Sequence, residues 1–227
     1  MTREISALVF DAYGTLFDVH SVAERAEELF PGRGKAISAA WRTKQLEYSW
    51  LRTLMGRYED FNRVTRSSLE WTLESLGLEA AEEPMRALQD AYRKLKAFPE
   101  VPAVLESLAR KRALAILSNG HPEMLDAVVD HNGLRGYFRG GVLSVHPARR
   151  FKPDPAVYRI AEETLGVPRS ITGFVSSNGW DAAGARAFGF RAFWVNRAGA
   201  PVERLGVRPE AVLKDLTELE ALLAPSA

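Results

Sequence analysis

Five short apolar runs, set far apart along the chain, constrain its fold more than any other feature of the sequence. Helix-length segments separate most of them, and strands that alternate with amphipathic helices are typical of a mainly parallel sheet with helices on both faces. We therefore predict an α/β protein with a doubly wound, mainly parallel, Rossmann-like sheet. The predicted strands are residues 5–10, 113–117, 141–145, 171–176 and 191–195.

The interval between the first two predicted strands is too long for a simple crossover. It contains helix-like segments at residues 22–29, 36–55, 60–76 and 83–95, separated by PGRG, MGRYED and LGLEAAEEP. A group of helices inserted into the sheet domain explains this interval. We predict a Rossmann-like core domain of residues 1–16 and 99–227, an inserted helical cap subdomain of residues 17–98, and a loose C-terminal APSA.

Composition and charge exclude several classes of protein. The 227 residues carry 30 Lys and Arg against 29 Asp and Glu, and the charges are scattered, so nucleic acid is not an expected partner. The absence of cysteine excludes disulfides, thiolate metal sites and a cysteine nucleophile. The N-terminal MTREISALVF lacks a signal peptide's apolar run, and no run is long enough to span a membrane. We expect a cytoplasmic protein that does not bind membranes.

Polar residues follow three of the predicted strands where each strand ends. Asp11 follows the first strand, Ser118 and Asn119 follow the second, and Ser177 and Asn178 follow the fourth. Ligands of doubly wound sheets bind beyond the carboxyl ends of the strands, so we expect these residues to line one rim. Each also has an ordinary explanation, since such residues cap helices, satisfy loop amides or form Asn-Gly turns.

Charged residues elsewhere leave similar alternatives open. Lys152 precedes a good helix start in KPDP, where a solvated lysine is common. Asp181 lies early in WDAAGARAFG, where an acidic residue stabilises the helix dipole. Arg42 belongs to WRTKQLEYSWLR, and spacing alone does not select it from Arg52 or Lys44. Residue types alone therefore indicate a candidate rim but no reaction.

The order of the motifs is more specific than any one of them. Asp-x-x-Gly-Thr at residues 11–15 resembles the nucleophile loop of the haloacid dehalogenase superfamily, whose aspartate forms a covalent ester with its substrate. Ser118 in ILSNG, Lys152 in RFKPDP and the segment FVSSNGWDAAGA follow in the order typical of that superfamily. With the inserted cap, the resemblance covers nearly the whole chain.

Two departures distinguish this chain from the magnesium-dependent phosphatases that form most of the superfamily. Those enzymes carry a second aspartate two residues after the nucleophile, where this chain has Tyr13, a poor proton donor. They also place carboxylates, which magnesium prefers, where this chain has Ser176, Ser177 and Asn178 before Asp181. A phosphatase is thus the less favoured alternative, with a non-catalytic relative as a third, and we predict no metal and no cofactor.

The same departures resemble the L-2-haloacid dehalogenase branch, in which DAYGTLFDV, SNG, KPDP.VY and SSN.WDA.GA.AFGF occur together. The cap of that branch carries an arginine in a segment like AWRTKQLEYSWLRTLMGRYEDF, which here provides Arg42. The resemblance implies hydrolysis of (S)-2-haloacids to (R)-2-hydroxy acids with inversion, through an ester on Asp11. It also implies a small 2-haloacid substrate, a halide product and a homodimer.

The resemblance also assigns expected roles. Asp11 is the nucleophile, Lys152 keeps it ionised, and Asp181 positions or activates water. Tyr158 hydrogen-bonds Lys152 or packs its ring, and Thr15 braces Asp11 or caps the following segment. The expected catalytic residues are Asp11, Thr15, Arg42, Ser118, Lys152, Tyr158, Ser176, Asn178 and Asp181; halide-binding residues are Arg42, Asn119 and Trp180; substrate-binding residues are Tyr13, Leu46, Phe61, Ser118 and Asn119.

Overall fold

The computed structural model describes residues 4–223, in which a parallel sheet of six strands has the order β3-β2-β1-β4-β5-β6. The α/β fold predicted from the sequence is confirmed. The sheet brings the end of β1 between the ends of β2 and β4, so the segments that follow these strands meet at one rim. The strands are β1 Ala7–Phe10, β2 Ala113–Ser118, β3 Val142–Ser144, β4 Thr172–Ser176, β5 Arg191–Val195 and β6 Ala211–Leu213.

The central strand of the sheet is buried along its whole length, which explains why its sequence is a continuous apolar run. All residues of β1 are buried, and β1 pairs with β2 on one side and with β4 on the other. A parallel strand with helices on both faces needs apolar side chains at every position rather than at alternate ones. The edge strand β6 was not predicted, because it has only 3 residues and Val212 is 47% exposed.

Five helices lie between β1 and β2; the fifth packs on the sheet, and we call the other four the cap helices. The last one ends at Tyr92, earlier than the predicted residue 95, because the chain turns there into the linker that leads back to the sheet. In that linker the Lys96 carbonyl accepts from the Asp18 amide (2.8 Å). The cap helices are α1 Ser21–Leu29, α2 Gly34–Leu54, α3 Phe61–Ser75 and α4 Glu82–Tyr92.

The two linkers between cap and sheet run side by side. Phe17 forms an antiparallel bridge with Ala97, and the Phe98 amide donates to the Leu16 carbonyl at 3.0 Å. This pairing places the cap helices over the rim where β1 ends. The boundaries at residues 16, 17, 98 and 99 remain a prediction.

The remaining helices cover the sheet. Two of them, α6 and α7, begin with proline, and Asp154 caps α7 by accepting from the Ala156 amide at 2.9 Å. No described helix is long and apolar enough to cross a membrane. The APSA segment lies outside the described residues. The helices are α5 Val101–Ala109, α6 Pro122–His131, α7 Pro155–Leu165, α8 Gly179–Phe188 and α9 Leu216–Leu222.

Candidate active site

Asp11 lies directly beyond β1, at the centre of the rim. Its Oδ1 accepts from Lys152 Nζ at 3.0 Å and its Oδ2 accepts from Asn178 Nδ2 at 2.9 Å. The hydroxyls of Thr15 and Ser176 lie 3.3 and 3.4 Å from the same Oδ2. Both carboxylate oxygens are therefore held by donors, in a residue that is only 6% exposed.

The loop after Asp11 turns sharply through Gly14. Its φ of +85° lies in the left-handed region that favours glycine, so the chain reverses within a few residues. The turn brings Thr15 back beneath the carboxylate, where its hydroxyl accepts from the Ser177 amide at 2.7 Å. Thr15 thus joins the first segment of the site to the fourth. Ser177 was expected on the rim but was not assigned a catalytic role.

Lys152 and Asp181 form a buried charged group with Asp11. Lys152 Nζ donates to Asp181 Oδ2 at 2.8 Å, and the two residues are 1% and 0% exposed. Burial alone would lower the pKa of Lys152, but the carboxylates of Asp11 and Asp181 outweigh it and the pKa is raised. The lysine is therefore an ammonium ion that lies between two carboxylates.

For the pKa of Asp181, burial outweighs the effect of the neighbouring charge. Its burial raises its pKa above the ordinary value, although Lys152 acts in the other direction. The Tyr158 hydroxyl donates to Asp181 Oδ1 at 2.8 Å, so both oxygens of this carboxylate are occupied. We expected Tyr158 either to hydrogen-bond Lys152 or only to pack its ring. The hydrogen bond to Lys152 is wrong, because the hydroxyl binds Asp181 instead. Its ring packs edge-on against Phe174, while its hydroxyl reaches the carboxylate behind the lysine.

The close approach of Tyr158 to α8 depends on Gly184. A Cβ at this position would lie 2.6 Å from the Tyr158 hydroxyl oxygen and 2.5 Å from Pro153 Cβ. Real Cβ atoms do not approach other atoms so closely, and packed interiors have little room to relax. The glycine in WDAAGARAFG therefore lets α7 and α8 pack tightly enough for Tyr158 to reach Asp181.

Ser118 and Asn119 form the part of the rim that follows β2. The Asn119 Oδ1 accepts from the backbone amide of Lys152 at 3.0 Å, which leaves the Nδ2 donor on the other side of the amide. The Ser118 hydroxyl accepts from the Gly120 amide at 3.2 Å. Gly120 has no positive φ, so its role is space: a Cβ there would lie 2.9 Å from Tyr13 Cε2.

The donors around Asp11 do not fit a magnesium ion. An ammonium and a carboxamide N–H point at the two carboxylate oxygens, where a cation would need free lone pairs. The fourth segment adds hydroxyls from Ser176 and Ser177 in place of carboxylates. Within residues 4–223, no cluster of three His, Cys, Asp or Glu side chains is arranged to hold a metal ion.

The cap supplies the opposite wall of the site. Arg42 lies on α2, is half-buried, and donates from Nη1 to Gln45 Oε1 at 2.9 Å. Phe61 begins α3 and is 2% exposed, against the ring of Phe151. From the core side, Trp180 at the start of α8 packs edge-on against Trp50 of the cap, with ring centroids 5.2 Å apart.

Residues of both walls line one small pocket. The structure brings every residue expected to bind substrate or halide to this pocket. Four expected catalytic residues, Thr15, Tyr158, Ser176 and Asp181, lie behind the lining rather than in it. The lining residues are Asp11, Tyr13, Arg42, Leu46, Phe61, Ser118, Asn119, Lys152, Asn178 and Trp180.

Sequence reasoning missed the residues that support the cap wall. Gln45 contacts Arg42, Trp50 contacts Trp180, and Tyr92 packs edge-on against Tyr13 with ring centroids 6.1 Å apart. Gln45 follows Arg42 by one helical turn, which is a signal that could have indicated contact. Nothing in the local sequence indicates the other two pairs, because they join segments far apart in the chain.

The structure places a buried aspartate directly beyond the first strand of a doubly wound sheet, at a pocket that the inserted cap helices also line. Residues 5–189 match the family of haloacid dehalogenase-like hydrolases, and the chain belongs to that family.

Relatives with assigned activities are similar over almost the full length. The (S)-2-haloacid dehalogenase of Pseudomonas sp. (strain YL) is 50% identical over 224 residues, 98% of this chain and 96% of that protein. The crystal structure of the L-2-haloacid dehalogenase RSc1362 has a TM-score of 0.95 at 45% identity and covers 97% of this chain and 99% of its own. The Xanthobacter autotrophicus L-2-haloacid dehalogenase with chloropropionic acid covalently bound has a TM-score of 0.92 at 44% identity, covering 98% and 100%.

Proposed function

We propose that this protein hydrolyses (S)-2-haloacids to (R)-2-hydroxy acids, with inversion at C2. The observation that carries the proposal is the Asp11 carboxylate, which lines a small pocket, is only 6% exposed and is held by Lys152 and Asn178. A desolvated carboxylate with fixed partners is a far better nucleophile than one in bulk water. The relatives that are (S)-2-haloacid dehalogenases support this choice of substrate.

In the first half-reaction, a carboxylate oxygen of Asp11 attacks C2 from the side opposite the halogen. A bond forms between Asp11 and C2 as the carbon–halogen bond breaks, and the halide leaves with the electron pair. The Arg42 guanidinium and the Asn119 amide donate hydrogen bonds to the departing halide, beside Trp180. These bonds strengthen as charge develops on the halogen, so they favour the transition state over bound substrate.

The substrate carboxylate needs its own partners on the core side. We assign it to Ser118 and to the backbone amides of the loop after Asp11, because successive amides in a tight turn bind anions well. Tyr13, Leu46 and Phe61 then surround C2 and its substituent with apolar surface. This orientation aims C2 at Asp11 and the halogen at the cap.

In the second half-reaction, water attacks the carbonyl carbon of Asp11 in the ester. The acyl carbon–oxygen bond breaks, the hydroxy acid leaves with an Asp11 oxygen, and one proton is released overall. Asn178 lines the pocket beside Asp11, and it positions this water together with Ser176. The sequence led us to expect that Asp181 positions or activates this water. Because Asp181 lies behind Lys152 and outside the pocket lining, we assign it instead to holding Lys152 and Tyr158 in place.

Single turnover in heavy-oxygen water, with enzyme in excess over (S)-2-chloropropionate, tests the proposal. The covalent route places solvent oxygen in Asp11, so the peptide that contains Asp11 gains mass while the first product stays unlabelled. Label in the first hydroxy acid with an unlabelled peptide would make Asp11 a general base. Chloride release is measured beside phosphate release from a phosphate ester, with and without a chelator. Phosphate release that depends on magnesium would favour the phosphatase alternative.

We also propose that the protein is a cytoplasmic homodimer that associates through its cap helices. The resemblance to the dehalogenase branch supports the dimer, and exposed apolar side chains on the cap are consistent with it, including Leu54 (82% exposed) and Trp71 (42% exposed). Sedimentation velocity across working concentrations tests the dimer. A single monomer boundary throughout would contradict it.

A further inference from the structure

Gln45 has a buried side-chain amide that connects α2 to α3, the two cap helices beside the pocket. It lies on α2, is 0% exposed, and is absent from the pocket lining. Its Oε1 accepts from Arg42 Nη1 at 2.9 Å, and its Nε2 donates to the Thr65 hydroxyl on α3, also at 2.9 Å. Both ends of the amide are therefore used, and the two contacts fix which end faces the arginine.

Among the described residues, this is the one hydrogen bond or ion pair that the structure gives to the Arg42 guanidinium. Two other cations of α2 are paired with carboxylates: Lys44 Nζ lies 2.9 Å from Glu47, and Arg52 Nη1 lies 2.8 Å from Glu59. A neutral amide orients a guanidinium without cancelling its charge. The charge and the remaining N–H donors of Arg42 stay available to an anion in the pocket.

Thr65 is itself held firmly, so the chain of contacts has a rigid end. Thr65 is 2% exposed, and its carbonyl accepts from Trp41 Nε1 at 2.9 Å. The same indole N–H lies 3.1 Å from the Ser68 hydroxyl, and Trp41 is 0% exposed. The packing of α2 against α3 therefore determines where Gln45 lies.

We propose that Gln45 is a positioning residue that aims the Arg42 guanidinium at the departing halide, by bridging Arg42 to Thr65. The effect of Gln45 on the reaction rests on the proposed dehalogenation. Its geometric role does not, because that role is only to present the uncompensated charge of Arg42 to an anion in the pocket. Misplacing a reacting group by about 1 Å costs on the order of 100-fold in rate, so loss of this bridge has a large effect on halide departure.

The test compares Gln45→Met, which keeps the side-chain length and removes both hydrogen bonds, with Gln45→Glu, which places a carboxylate against Arg42. Ser49→Ala is the matched control, because Ser49 is also buried on α2 but its hydroxyl donates only to the Leu46 carbonyl of its own helix (2.7 Å). Rapid-mixing kinetics separate the burst of halide release from the slower hydrolysis of the ester. Bromide binding is measured by calorimetry.

We expect Gln45→Met to slow the halide burst about 10-fold to 100-fold. The rate of ester hydrolysis and the substrate concentration that half-saturates the burst rate should stay within about 3-fold of the wild type. Bromide binding weakens in parallel, and Gln45→Glu is affected more because its charge neutralises Arg42. Thr65→Val, which can act on Arg42 only through Gln45, shows a smaller loss of the same kind. It provides the test if Gln45→Met fails to fold.

An equal loss in both half-reactions, or a burst and bromide affinity like those of Ser49→Ala, would overturn the role of Gln45. Failure of the proposed function is a separate result. If the wild type releases no halide, bromide binding alone decides the positioning role, and equal affinity in wild type and Gln45→Met contradicts it.

Discussion

The two walls of the pocket are built differently. On the core side, Asp11, Lys152 and Asp181 are almost fully buried, and each carboxylate oxygen has a donor. On the cap side, Arg42 is half-buried, and within residues 4–223 its one hydrogen-bond partner is the neutral Gln45 side chain. The core wall is organised without any ligand, whereas the cap wall retains unused hydrogen-bonding capacity that an anion can occupy.

The difference follows from when charge appears in the proposed reaction. The nucleophile is charged before substrate arrives, so its partners must be in place and dry from the start. Charge on the halogen develops only as the bond breaks, and a donor that is already neutralised would gain nothing from it. Substitutions of the buried charged groups on the core side should therefore affect both stability and activity, and substitution of Arg42 on the cap side activity alone.

The largest effect is expected for Asp11→Asn. An amide lacks the charge to attack C2, and loss of a covalent nucleophile costs roughly 10⁴-fold to 10⁶-fold in turnover. Halide release at substrate saturation measures it. Asn178→Asp is the contrasting variant, since it places a second carboxylate beside Asp11 but leaves the nucleophile present. Slow recovery of activity in Asp11→Asn with a mass gain at that peptide would indicate deamidation rather than residual catalysis.

Lys152→Met tests whether the core wall is held by its charges. It leaves two buried carboxylates facing each other without their cation, and breaking a buried ion pair from one side costs about 3–5 kcal/mol. Urea unfolding of the variant should show this loss together with the loss of turnover. Lys44→Met on the cap is the control, because its pair with Glu47 is near the surface and such pairs contribute about 1 kcal/mol or less. Equal stability losses in the two variants would remove the proposed difference between the walls.

Arg42→Lys tests the cap wall in the opposite way. Lysine keeps the charge but loses the planar set of N–H donors, so turnover should fall by about 10-fold to 100-fold. The free energy of unfolding should change by less than about 0.5 kcal/mol, because Arg42 is half-buried and has one partner. Arg52→Lys on the same helix should leave turnover unchanged. A stability loss larger than the loss of transition-state stabilisation would contradict the division between the walls.

Much of the fold could be predicted because a buried parallel sheet leaves a plain signal. Strands such as β1 and β4 are buried at every position and so read as continuous apolar runs. The short edge strand β6 leaves no such run, since Val212 faces solvent. The end of α4 was also misplaced. The chain leaves the helix after Tyr92, and the linker that follows pairs with Asp18, which lies far away in sequence.

The site was predictable in its residues but less so in its contacts. Family resemblance chose Arg42 from Arg52 and Lys44, and the structure gives the physical distinction: the other two lie within 2.8 and 2.9 Å of carboxylates. The sequence contains no sign that Tyr158 reaches Asp181 rather than Lys152, because that depends on how closely α7 packs on α8. Side-chain pairing between distant segments is decided by packing, which a linear pattern does not report.

The smallest effect is expected in the alkaline pH dependence of stability, which the core wall should dominate. Burial raises the pKa of Tyr158 well above its ordinary value of 10.0, and Asp11 and Asp181 raise the pKa of Lys152 above 10.5. As pH rises past these ordinary values, the unfolded chain loses protons that the folded protein retains, so both groups make stability fall. Their contribution is complete below pH 10 and is lost progressively above it, at up to about 1.4 kcal/mol per pH unit for each group.

Tyr158→Phe removes one of these groups, and its free energy of unfolding should fall less steeply above pH 10 than that of the wild type. Chemical denaturation at intervals between pH 8 and 11 measures the two slopes. Phe190→Leu is the control, since it disturbs packing beside the same ring but removes no titrating group, so its curve should be displaced with its slope unchanged. If Tyr158→Phe and the wild type share one slope, burial beside Asp181 does not raise the pKa of Tyr158. The alkaline limit of the core wall would then rest on Lys152 and on Tyr13, whose pKa burial also raises.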